Sequence, residues 1–308
     1  MEGIITWLNQ PLFPDTFIRI WMAIAAGMAV ILASVLVFIL ARRKKKRGGA
    51  QMKEFVTEQP EPLPVLEMFN LQGIGNREEQ QDAFGISQIE CYEKYGLLAV
   101  LCDGMGGMAE GGMIASQTAA ELVNEFPWED DNSVESWVSQ RSARVYQQFR
   151  GHGGTTLVAA LLKENRLSFW CVGDSDLFLL REGKLCALNT RQEFKHDLVL
   201  RALEGAFPVE EAFHDPQGGA LSEYIGKEEV KCDHTHIPLT LQPEDALMLC
   251  SDGVSDTLTL KQIKEAMALS PQQCCDKLEE EILVAGMPNQ DNYTAIVLKY
   301  HGKKEEAK

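Results

Sequence analysis

LLAVLCDGMGGMAEGG, residues 97–112, joins an apolar run to a glycine-dense turn through a single carboxylate. Leu97 to Cys102 reads as a buried strand, because a short unbroken apolar run closed by a turn signal has no polar face to offer water. It stops at Asp103, and Gly104, Gly106, Gly107, Gly111 and Gly112 follow. A carboxylate at the end of a core strand, with flexible backbone behind it, can give a hard cation both a side-chain and a peptide oxygen. Alone, Asp-Gly is an ordinary turn. Three further stretches repeat the arrangement.

Asp82 precedes the strand-like run AFGISQIECY, and Asp103 follows the next strand. Antiparallel pairing brings both carboxylates to one end of a sheet. Asp252 follows ALMLC (246–250) and Asp291 precedes YTAIVLKY (293–300), so the same argument unites that pair. Asp174, in VGDS, ends another apolar run. Acids gathered at one rim repel one another unless cations sit between them.

The formal charge of −16 is unevenly spread. Residues 1–50 carry seven Lys/Arg and two acids, net +5, which leaves −21 for the rest. Such an acidic body repels nucleic acid and suits a protein that concentrates divalent cations. The eight cysteines show no CxxC spacing, and Cys102, Cys171 and Cys250 sit on apolar runs as small buried hydrophobes. That usage fits a reducing compartment. Cys274 and Cys275 lie side by side on an expected helix and point apart, so they are not a redox pair.

Residues 1–16 form a short leader with Pro11 and Pro14. Ile20 to Ala41 is 22 residues without a charge, about 33 Å as a helix and enough to cross a bilayer. A single transmembrane helix is expected over 17–41, with Arg19 at its outer edge. RRKKKR at 42–47 should stay inside, putting the N-terminus outside and the bulk of the chain in the cytoplasm. The basic juxtamembrane segment and a proline-bearing linker occupy 42–64, the globular domain 65–301, and a charged tail 302–308. Within the domain the spacing predicts helices at 113–126, 133–149, 259–268 and 271–285. Strands are expected at 83–92, 97–102, 154–162, 167–172, 176–181, 246–250 and 293–300, and irregular chain at 189–226. Mostly antiparallel strands with helices in separate runs make an α+β layered fold. His234 and His236 alternate on one strand face by default, and their pairing is read as structural rather than as a metal site.

Taken together, GNREEQQDAF (75–84), CDGMGGMAEGGMIAS (102–116), GGTTLVAALL (153–162), VGDSDLFLLREGKL (172–185), CSDGVSD (250–256) and DNYTAIVL (291–298) resemble the metal-dependent serine/threonine protein phosphatases of type 2C. The resemblance implies two packed antiparallel β-sheets flanked by helices, an α-β-β-α sandwich, with metals at one edge. It implies two Mn²⁺ or Mg²⁺ ions bridged by Asp103, with the Gly104 carbonyl, Asp252 and Asp291 as further ligands. Asp82 would act through metal water, Asp174 at a third, weaker metal, and Arg77 on the substrate phosphate. Two cations activate a shared water and neutralise phosphoryl oxygens, and a guanidinium fork fits the remaining oxygens. The implied activity is hydrolysis of phosphoserine and phosphothreonine in proteins by a monomeric catalytic domain opposing a kinase. A membrane-held pseudophosphatase, binding phosphoprotein without turnover, is the alternative. Four departures from the family pattern stand out: Gln81 for glutamate, Met105 for histidine, Asp176 for the arginine of GDSR, and a blurred TRQEFKHD at 190–197. Residues 205–226 resemble the family's mobile flap.

Overall fold

Successive residues of the strand at 97–103 face two different cores, which is why its sequence shows no alternation. In the computed structural model, which describes residues 65–105, 110–128, 130 and 133–302, Leu97, Ala99 and Leu101 pack between two sheets. Leu98, Val100 and Cys102 pack against helices. The elements in chain order are β1 (Leu66–Gly73), β2 (Asp82–Ile86), a 3-10 turn at Ile89–Cys91, α1 (Tyr92–Tyr95), β3 (Leu97–Asp103), α2 (Gly111–Asn124) and α3 (Ser133–Phe149). Then come β4 (Leu157–Lys163), β5 (Arg166–Val172), β6 (Asp176–Arg181), β7 (Lys184–Ala187), α4 (Phe194–Leu203) and α5 (Val209–His214). The rest are β8 (Asp233–His234), β9 (Leu239–Thr240), β10 (Asp245–Cys250), α6 (Asp252–Ser255), α7 (Leu260–Met267), α8 (Pro271–Ala285) and β11 (Tyr293–Tyr300).

One sheet runs β1-β11-β10-β6-β7 and the other β2-β3-β4-β5-β8, with β9 also on β5; the strand pairs are antiparallel. Leu177, Leu247, Leu249, Ile296 and Leu298 of the first sheet meet Leu101, Val158 and Leu162 of the second. Helices α7 and α8 cover the first sheet through Ile263, Met267, Cys274, Cys275, Leu278 and Ile282. Ile114, Ala119, Leu122, Val138 and Val145 of α2 and α3 cover the second. The four layers are α-β-β-α, as expected. Burying a leucine-sized side chain contributes about 2 kcal/mol, so this apolar stack is what fixes the two sheets against each other.

Three local expectations change. The strand after Asp82 ends at Ile86, because the next residues coil into the 3-10 turn and α1. The region 189–226 contains α4 and α5. Strands β1 and β7 add edges that the apolar pattern did not announce. Ser133 is the first residue of α3, as the spacing predicts, and its hydroxyl donates to the Asp130 carbonyl. By contrast α7 and α8 start with complete capping boxes, Thr259 with Gln262 and Ser270 with Gln273, each cap contributing about 1 kcal/mol. Gly286, at φ 55°, closes α8.

Among the described residues no helix is long and apolar enough to cross a membrane. The expected span at 17–41, the basic segment and linker at 42–64 and the tail from 303 lie outside the described residues.

Candidate metal and phosphate site

Strand pairing places the aspartates. Asp82 and Asp103 stand directly opposite each other on β2 and β3. On the other sheet β10 and β11 pair as far as Cys250 and Ala295, so Asp252, just past one strand, and Asp291, just before the other, leave at one end. Asp174 lies in the turn that carries the chain from β5 in one sheet to β6 in the other. Arg77, Asp103, Gly104, Asp174, Asp252 and Asp291 line one cleft of about 370 Å³. Asp82 does not line it; it is buried opposite Asp103, 5% exposed.

Burial dominates the electrostatics. It raises Asp82 to about 6, aided by Asp252 and Asp291, against hydroxyl hydrogen bonds from Thr294 and Ser251 that pull the other way. Asp103 is held well above the usual carboxylate range by burial, then by Asp82, Asp252, Asp174 and Asp291. Asp174 is pushed up to about 7 by burial and by Asp252, with Arg191 opposing. Asp252 is raised by burial, then by Asp256 and Asp291, and lies within hydrogen-bonding reach of the Asp103 carboxyl. Clustered, desolvated carboxylates such as these disfavour their own charge.

Local bonding holds the acids in place. Thr156 Oγ1 accepts from the Asp103 amide at 2.9 Å, and Thr155 Oγ1 donates to the Asp103 carbonyl at 2.7 Å. Thr156 Oγ1 also meets Ser175 Oγ at 2.8 Å, tying the Asp174 turn to the same strand. Ser251 Oγ donates to Asp82 Oδ2 at 2.8 Å and accepts from the Thr294 amide, so it bridges the two sheets. Gly104 must be glycine: a Cβ there would lie 2.4 Å from the Gly111 carbonyl carbon and 2.8 Å from the Gln81 oxygen. Arg77 Nη2 donates to Asp291 Oδ2 at 2.7 Å. The pair is exposed, 50% and 39% for the two side chains, a setting in which ion pairs contribute at most about 1 kcal/mol. The guanidinium is therefore free to exchange partners.

A cation site is consistent with what these residues lack. Asp82 Oδ1 and Asp252 Oδ1 are buried without a hydrogen-bond partner, and an orphaned buried carboxylate oxygen is costly unless something positive meets it. Among the described residues no three His, Cys, Asp or Glu form a ready-made cage for one ion. The donor set is an all-oxygen row along a rim, which suits hard divalent cations that retain water. Mn²⁺ or Mg²⁺ therefore fit.

Arg191, within the blurred stretch 190–197, takes its role only from the fold. It donates to Asp176 Oδ2 at 2.7 Å, to Asp256 Oδ1 at 2.6 Å and to Ser255 Oγ at 2.7 Å. Next to it Gln192 bonds both backbone groups of Gly173. Asp176, which departs from the family pattern, thus has its cation supplied from 15 residues downstream. Arg191→Met leaves buried Asp176 without that partner and is expected to cost roughly 2 kcal/mol in urea denaturation; an unchanged midpoint would show the pair to be dispensable. The His234 and His236 rings pack edge to face at 4.7 Å, away from the acids lining the cleft. Cys274 and Cys275 are both buried, free thiols.

A family profile described as protein phosphatase 2C matches residues 73–291. The serine/threonine protein phosphatase PstP of Mycobacterium tuberculosis strain H37Rv is 34% identical over 211 residues, covering 65% of this chain and 40% of PstP. The chain therefore spans well under half of that relative. The serine/threonine phosphatase stp of Listeria monocytogenes EGD-e is 27% identical over 219 residues, covering 66% of this chain and 84% of stp. Among solved structures, serine/threonine phosphatase Stp1 of Staphylococcus aureus superposes with a TM-score of 0.65 at 26% identity, over 78% of this chain and 96% of that one. The PstP catalytic domain in complex with two manganese ions superposes with a TM-score of 0.61 at 28% identity, over 76% of this chain and 98% of that one.

Proposed function

The chain belongs to the protein phosphatase 2C family, and from that premise we propose that it hydrolyses phosphoserine and phosphothreonine in proteins with Mn²⁺ or Mg²⁺. The observation that carries the reading is the pair of orphaned oxygens on Asp82 and Asp252, beside Asp103 in the cleft wall. Asp103, Asp252 and Asp291 would hold two cations with the Gly104 carbonyl, and Asp174 a third. Bound there, the cations supply Lewis acidity and activate water for attack on phosphorus. Arg77 turns from Asp291 to the phosphoryl oxygens. Asp82, fixed by Ser251 through Oδ2, would present Oδ1 to a water held at the cations. The test is release of phosphate from a phosphothreonine peptide by the full chain with Mn²⁺ and with EDTA; equal rates, or none with Mn²⁺, would end this reading.

Arg77→Ala should lower kcat/KM by roughly 100-fold, the scale of losing one oxyanion-binding group. Cation affinity by calorimetry should stay level or tighten slightly, since Asp291 loses a competitor. A matching loss of metal binding would make Arg77 a scaffold residue.

The same proposal includes a single membrane anchor at 17–41 with the catalytic domain in the cytoplasm, supported by the uncharged run and the RRKKKR cluster after it. Protease added outside intact cells should spare the domain; digestion would reverse the orientation. The catalytic domain acts as a monomer in this reading.

A further inference from the structure

The tight turn that carries Arg77 has a second wall. Arg77 N donates to the Ile74 carbonyl at 3.4 Å, closing a four-residue turn whose end Cα atoms lie within about 7 Å of each other. Gly75 in that turn sits at φ +60°, where an added Cβ would lie 2.3 Å from the Asp291 carbonyl oxygen. Asn76 Nδ2 donates to the Met287 and Pro288 carbonyls at 3.0 Å each, and Asn292 Nδ2 to the Ile74 carbonyl at 2.8 Å. The turn is thus stitched to the end of α8. One of its ends, Arg77, lines the acidic cleft. The other, Ile74, lines a groove of about 300 Å³ with Leu283, Gly286, Met287 and Tyr293, and none of the residues lining that groove is charged.

The groove sets exposed apolar side chains beside two neutral amides, Asn76 and Gln290. Helix α8 buries Cys274, Cys275, Leu278 and Ile282. Of the apolar side chains that line the groove, Leu283 falls off that stripe and is 68% exposed, and Met287 and Ile74 are each 47% exposed. Single exposed apolar side chains are normal, but several gathered about one concave wall mark a binding surface.

The geometry points to this groove as a substrate subsite: it takes a large apolar side chain two or three residues from the phosphorylated residue. The inference rests on the phosphatase reading and adds what kind of phosphoprotein fits. An extended peptide advances about 3.3 Å per residue. A peptide with its phosphate on the Arg77 side of the turn, running toward Ile74, carries a residue two or three positions away to the groove side.

The test uses the full chain with Mn²⁺ on phosphothreonine peptides that carry Leu or Ser two or three residues to either side, with p-nitrophenyl phosphate as the small substrate. Wild type should favour a Leu peptide by about tenfold in kcat/KM. Leu283→Ser combined with Met287→Ser should cut that preference to within about twofold and leave p-nitrophenyl phosphate hydrolysis unchanged. Turnover of p-nitrophenyl phosphate without peptide discrimination, or discrimination that survives both substitutions, overturns the subsite alone. A wild-type dimer in sedimentation that the substitutions dissociate, with peptide preference untouched, assigns the groove to a second copy and overturns it too. No hydrolysis of p-nitrophenyl phosphate would overturn the phosphatase reading itself.

Discussion

Asp103→Asn is expected to lower kcat on a phosphothreonine peptide on the order of 10³-fold, about 4 kcal/mol of transition-state stabilisation. It should also remove most of the Mn²⁺-induced rise in Tm. Asp103 has the most carboxylates acting on it, with Asp82, Asp252, Asp174 and Asp291 all raising it. Its backbone is held by Thr155 and Thr156 whatever the side chain carries. Asparagine keeps the shape and removes one negative charge, so the metal-free domain should stay folded and melt at the same temperature or higher. Calorimetric Mn²⁺ titration paired with phosphopeptide turnover checks both halves. A near-normal, metal-dependent rate in the variant would move the site elsewhere.

With divalent cations removed by EDTA, the second large effect is a loss of stability as pH rises from 5 to 8. Burial holds Asp82 at about 6 and Asp174 at about 7 in the folded state, against 3.8 for an ordinary aspartate. Between those values the folded chain binds protons that the unfolded chain has released, so unfolding free energy falls with rising pH. The contribution is fully present below about pH 4 and is lost as pH passes through 6 to 7. For Asp82 alone it comes to about 3 kcal/mol, at 1.36 kcal/mol per pH unit. Saturating Mn²⁺ should flatten the slope, because cations bind the ionised carboxylates. Comparing wild type with Asp82→Asn isolates that residue; identical pH slopes in EDTA would show that Asp82 is not desolvated.

The parts of this fold legible in the sequence are those whose burial writes itself into composition. Strands β3, β6 and β10 and most of β5 and β11 are covered on both faces, so each is largely an apolar run. Helices α7 and α8 announce themselves by spacing. Strand β1, LEMFNLQG, is an edge with a mixed pattern, and β7 has three exposed residues and one half-buried, so neither carries a signal. Helices α4 and α5 bury only Leu198, Ala202 and Ala212, too few to set a period. At the site, the aspartates are visible because each adjoins an apolar run, and Arg77 only through the resemblance to the family. Ser251, Thr155 and Arg191 are not, because their roles exist only once residues far apart in the chain meet.

The candidate site draws its acids from both sheets: Asp82 and Asp103 from one, Asp252 and Asp291 from the other. The spacing of these oxygens is therefore a caliper reading of how the two sheets are offset. Leu101, Leu249 and Ile296 touch no substrate, yet they set the jaws. Close packing turns a change of one methylene into a shift of backbone, and a displacement of about 1 Å is enough to spoil reactive geometry. Ile296→Val or Leu249→Met would then slow turnover by more than the lost stability explains. In this chain the tolerance of the oily interior is a catalytic tolerance.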